Sequence, residues 1–190
     1  MPKTPIIKGK IIILDDDIWP TGRITERILP EFKKRGLDKH LIHYNTFNKL
    51  RQDLLEGRLS RSNLFVLDSS LEKEPDGKLL GFQNTVPSLI SHGIKVRNMM
   101  PGSGWKEGVK NNLWFEEYAE RRGRSIRLNQ MTLFASGLSG DPEKVVNGIL
   151  TYHEELFPGT IQKESESTPC TEGALKYWKQ RQANDSSRRL

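Results

Sequence analysis

A chain of 190 residues has room for one core of ordinary domain size with an appendage, and not for two full domains. With 35% hydrophobic and 28% charged residues and no apolar run longer than Ile11–Leu14, it lacks the ~20-residue stretch that spans a bilayer; residues 1–10 lack the apolar stretch of a secretory signal, and the single Cys170 excludes an internal disulfide, so a cytoplasmic location is expected. The 30 basic residues exceed the 24 acidic ones by only six and are scattered among them without a recognised reading motif, which argues for a solvated surface over a nucleic-acid site.

Ile11-Ile-Ile-Leu14 is a short continuous apolar run, the pattern of a central strand covered on both faces. Ile24, Ile28, Leu29 and Phe32 follow at helical spacing, although Pro30 would kink or end a helix in its middle. His40–Tyr44 reads as a strand interrupted by polar residues, suited to an edge. Thr46 then caps a helix carrying Phe47, Leu50, Leu54 and Leu55. Leu64-Phe-Val-Leu67 repeats the buried-strand pattern. Val86, Leu89 and Ile90 mark a third helix, residues 94–100 a fourth strand, Trp114, Phe115 and Tyr118 a fourth helix, and Ser125–Leu128 a fifth strand. The last helix carries Val145, Val146, Ile149 and Leu150 after Asp141-Pro142, a favourable capping pair.

This alternation of strands and helices predicts an α/β fold, a three-layer doubly wound sheet of five parallel strands. The expected boundaries are an α/β domain over residues 8–158 and a polar linker and tail over residues 159–190. Lys163-Glu-Ser-Glu-Ser-Thr-Pro169 is too polar to bury a core, and residues 173–183 read as a short helix or a frayed end. Cys170 lies in that polar stretch with no activating group apparent, so an incidental thiol is favoured over a nucleophile.

In open parallel sheets, ligands bind beyond the carboxyl ends of the strands. The first buried run ends directly in Asp15-Asp16-Asp17 and the other in Asp68. Carboxylates gathered at one rim repel one another unless a cation sits among them, and Mg²⁺ suits a small set of carboxylate oxygens. The plainer alternative is that Asp15–Asp17 turn the chain and cap the first helix. The Gly102-Ser-Gly104 loop has the form of a phosphate cradle and equally of a simple glycine turn. His40, His43, His92 and His153 show no metal-ligand spacing.

The segments Lys10-Ile-Ile-Ile-Leu-Asp-Asp-Asp17, Leu64-Phe-Val-Leu-Asp68 and Pro75-Asp76-Gly77 resemble, in order and near spacing, the receiver domain of bacterial response regulators, across residues 8–157. The resemblance implies a flavodoxin-like fold and a Mg²⁺ site formed by Asp15, Asp16 and Asp68, completed by the carbonyl of Ser70. It makes Asp68 the phosphoacceptor, supplied by a histidine kinase or phosphotransfer protein. Attack of a carboxylate on phosphorus, with Mg²⁺ neutralising the transferring oxygens, is consistent chemistry.

The second half departs from the family. Receivers place Ser or Thr after the fourth strand and Lys after the fifth, whereas this chain has Val96-Arg-Asn-Met-Met-Pro101 and Ile126-Arg-Leu-Asn-Gln-Met131. Ser103 and Lys106 are the nearest substitutes. The expectation is therefore a signalling domain, not a turnover enzyme. It either accepts a phosphoryl group on Asp68 with an altered switch, or acts as a degenerate receiver that binds a protein partner without phosphorylation. The partner surface would be the fourth-helix face, with Trp105, Trp114, Phe115 and Tyr118, or the tail; neither nucleic acid nor membrane is expected. The alternative is a phosphatase resembling the haloacid dehalogenase superfamily, with Asp15 as nucleophile and Asp17 as acid/base, although Trp19 departs from its motif.

Overall fold

The computed structural model of the chain describes residues 9–16, 23–68, 70–71, 80–102, 106–124 and 141–161. Strands β1 (Ile11–Leu14), β2 (Leu41–Tyr44) and β3 (Leu64–Leu67) meet in one sheet. Every residue of β1 and of β3 is fully buried, as unbroken aliphatic runs require when both faces are covered. The two lie side by side and parallel, in register from Ile11 opposite Leu64 to Leu14 opposite Leu67.

Residues 70 and 71 form β4 (Ser70–Leu71), which pairs antiparallel with β5 (Leu80–Gly81) as a separate small ladder. β6 (Met99–Pro101) pairs parallel with the outer side of β3, and β2 with the other side of β1, giving the order β2-β1-β3-β6.

The helices are α1 (Leu29–Lys34), entered through a π-helical turn Arg23–Ile28, then α2 (Phe47–Leu55), α3 (Phe82–Ser91), α4 (Lys106–Glu120) and α5 (Pro142–Leu156). Successive strand side chains point to opposite faces, and the core divides accordingly. Ile12, Leu14, Phe65, Leu67 and Met99 pack with Leu50 of α2, Phe82 and Val86 of α3, and Phe115 of α4. Ile11, Ile13, Leu64, Val66 and Met100 pack with Phe32 of α1 and with Val146, Ile149 and Tyr152 of α5.

Pro30 does not interrupt α1. It stands in the first turn of α1, where the helical run changes from the π-helical turn Arg23–Ile28 to α. The fourth strand is shorter and later than its apolar pattern, because Val96–Asn98 take a 3-10 turn before β6 begins. The second strand likewise starts at Leu41, after a 3-10 turn Asp38–His40. Thr46 and Asp141 cap α2 and α5, accepting from the backbone N–H of Lys49 and Lys144. The expected fifth strand at Ser125–Leu128 and the tail beyond Ile161 lie outside the described residues.

Candidate functional site

Because β1 and β3 run parallel in register, whatever follows Leu14 and Leu67 must emerge at the same rim. The Asp15 N–H donates to the Tyr44 carbonyl at 3.1 Å, and the Asp68 N–H donates to the Leu14 carbonyl at 2.8 Å, so each carboxylate rides on backbone that continues the ladder. The Asp15 carbonyl is held from β2 by His43 Nε2 at 2.7 Å; since a carbonyl can only accept, Nε2 carries the proton. Asp15, Asp16 and Asp68 are 0%, 3% and 7% exposed, and one carboxylate oxygen of each lies within 4.8 Å of the other two.

Two like unit charges at that distance repel by about 3.5 kcal/mol at an effective dielectric of ~20. A divalent cation reverses the sign of that interaction. The donor set is all oxygen, which suits a hard cation. Octahedral Mg²⁺, with ligands at ~2.1 Å, would space their oxygens about 3.0 to 4.2 Å apart, and the longer bonds of Ca²⁺ about 3.4 to 4.8 Å. The separations, all within 4.8 Å, are of the order that either ion's coordination shell spans.

Beside the rim, the Tyr44 hydroxyl donates to Asp53 Oδ2 at 2.6 Å and ties the end of β2 to α2. Burial, then the Asp53 bond, raise the phenol pKa far above its ordinary value, so the hydroxyl stays protonated as a donor. On the β3 side the Gly102 N–H donates to the Leu67 carbonyl at 2.7 Å. Leu67 pairs with Pro101, so the next position along, beside Asp68, is Gly102, which has no side chain to offer.

The three acids that the sequence singled out are thus together. The backbone of Ser70 sits in β4, opposite Gly81, two residues beyond Asp68. Lys106 opens α4. Asp17, Trp19, Ser103, Trp105, Pro75-Asp76-Gly77 and Cys170 lie outside the described residues, as does the Lys106 side chain. The fourth-helix aromatics divide: Phe115 is 1% exposed in the core, whereas Trp114 and Tyr118 stack at 4.7 Å, with the Arg122 guanidinium 3.6 Å from the Tyr118 ring centre. His43 was not singled out, yet its place opposite Ile13 in the β1–β2 register brings it to the Asp15 backbone.

No family model, curated protein or solved structure matches this chain. Among the described residues, no helix is long and apolar enough to cross a membrane.

Proposed function

We propose that the chain is a receiver-like signalling module in which Asp15, Asp16 and Asp68 hold Mg²⁺, assisted by the Ser70 carbonyl, and Asp68 accepts a phosphoryl group from a histidine kinase or phosphotransfer protein. The observation that carries this reading is the convergence of three buried carboxylates at one strand-end rim. Strand order β2-β1-β3-β6 supports a doubly wound, three-layer sheet. Mg²⁺ supplies charge neutralisation for the transferring oxygens. Asp68 supplies the nucleophilic oxygen, and the ladder bond on its N–H holds its backbone at the strand end.

The output half of the switch differs from the family pattern. With Gly102 beside Asp68, no hydroxyl from that position contacts the phosphoryl group, which removes one charge-assisted bond of about 1.5–3 kcal/mol. Coupling between the acceptor and the partner surface on α4 is correspondingly weaker, and partner binding persists in part without phosphorylation.

Incubation of the full chain with acetyl phosphate and Mg²⁺, followed by intact mass measurement, tests the reading. A phosphate adduct on the wild type that disappears in Asp68→Asn supports it. Absence of an adduct on the wild type rejects the acceptor role and leaves a degenerate receiver that works by binding.

A further inference from the structure

Parallel strands share an N-terminal end as well, and there basic residues outnumber the one acid, Asp38. Lys10 precedes β1, Lys39 and His40 precede β2, Arg61 stands shortly before β3, and Lys95 and Arg97 precede β6. Arg61, Lys95 and Arg97 line a single cavity of about 110 Å³, with Leu156 and Phe157 closing one side and no carboxylate among its described lining residues. None of the three cations is ion-paired among the described residues.

Buried groups fix the backbone that carries these three side chains, which are themselves exposed. Asn98, 6% exposed, donates through Nδ2 to the Arg61 carbonyl at 3.2 Å, and its own N–H donates to the Lys95 carbonyl at 2.8 Å. Tyr152, fully buried on α5, donates its hydroxyl to the Arg97 carbonyl at 2.6 Å. Gly93 has φ +84°, and a Cβ there would meet the Arg61 Cδ, Nη1 and Nε at 3.3–3.4 Å. Glycine at 93 therefore serves both the turn and the close passage of the Arg61 side chain.

We infer that this cavity binds a small tetrahedral oxyanion, the phosphate group of inorganic phosphate or of a small phosphomonoester. Its volume of about 110 Å³ has room for a group of that size. Two guanidinium forks match phosphate oxygens in pairs, and Lys95 adds a point charge. Ser62, which also lines the cavity, carries a hydroxyl that can donate to such a group. The site lies at the opposite strand end from the carboxylate rim and does not depend on the function proposed for that rim.

Thermal denaturation of the full chain, in metal-free buffer with chelator and with added sodium phosphate or glycerol phosphate, tests the inference. A saturable rise in melting temperature is expected, because only the folded chain carries the site. Arg61→Gln, Arg97→Gln and Lys95→Gln should each weaken the apparent affinity about tenfold or more, the scale of one lost charge-assisted bond. Asp68→Asn, and Lys49→Gln on the exposed face of α2, should leave it unchanged. Saturation by glycerol phosphate assigns an ester ligand, and saturation by phosphate alone assigns the free ion; both support the site. An unsaturable response, or one that the three variants do not alter, overturns it. So does binding confined to a single-stranded oligonucleotide and weakened equally by Lys49→Gln, which would be diffuse polyanion attraction.

Discussion

At the scale of single residues, His153 shows how burial converts into pH dependence. It is fully buried on α5, its Nε2 donates to the Gly9 carbonyl, and its Nδ1 has no hydrogen-bond partner among the described residues. The Phe157 ring packs against it at 5.2 Å. Burial lowers its pKa, and so to a smaller degree does His40, against the opposing Gly9 bond and the Glu154 charge. The imidazole is therefore neutral when folded and takes up a proton more readily when unfolded. Stability is complete above the unfolded value of about 6.5 and falls as pH drops through it, with a slope of at most about 1.4 kcal/mol per pH unit for one proton. Burial lowers the His40 pKa as well, in the same direction. Urea denaturation at pH 7.5 and 5.5 should show the loss, and His153→Gln should flatten it; an unchanged slope in the variant would place the effect elsewhere. Gly9 itself has φ +74°, and its missing Cβ lets Thr160 approach to 3.2 Å of where that atom would stand, so the entry to β1 and the end of α5 are closed against each other.

The elements differ in how openly the sequence announces them. β1 and β3 were legible to the residue, because four apolar side chains in a row carry one message, burial on both faces. α5 was legible from Asp141-Pro142 and the spacing of its apolar positions. Asp141 Oδ1 accepts from the Lys144 N–H at 3.1 Å, so Asp141→Ala should cost about 1 kcal/mol and lower the melting temperature by roughly 2–4 °C, as calorimetry would read. β6 was not legible in its bounds, since Val96 and Met99 look alike in an apolar pattern. The turn at Val96–Asn98 arises from long-range bonds of Asn98 to Arg61 and of Tyr152 to Arg97, which no local window contains. The two-residue strands β4 and β5 are too short for any periodicity to register. Of the candidate site, the three carboxylates were legible because Asp15 and Asp68 directly follow the two buried strands and Asp16 is next to Asp15. His43 was not, because its role depends on the β1–β2 register and not on its own neighbours in the chain.

Over the whole molecule, the parallel sheet gathers acids at one rim and mostly basic residues at the other, with Asp38 before β2 the exception. Asp15, Asp16 and Asp68 stand where strands end, whereas Lys10, Arg61, Lys95 and Arg97 stand where strands begin. One geometric fact, β1 and β3 side by side in register, produces both ends. If the acidic end is a cation site, ions that bind only the folded chain must stabilise it. Millimolar MgCl₂ should then raise the melting temperature of the wild type in a saturable way, and Asp16→Asn should remove most of the rise. The most direct measurement is the anomalous difference map of a crystal soaked in Mn²⁺, a hard cation that takes the same oxygen ligands. The account predicts one peak at the rim, in bonding contact with carboxylate oxygens of Asp16 and Asp68 together. A rim without a peak at saturating Mn²⁺, or an ion held by only one of those two residues, would contradict it.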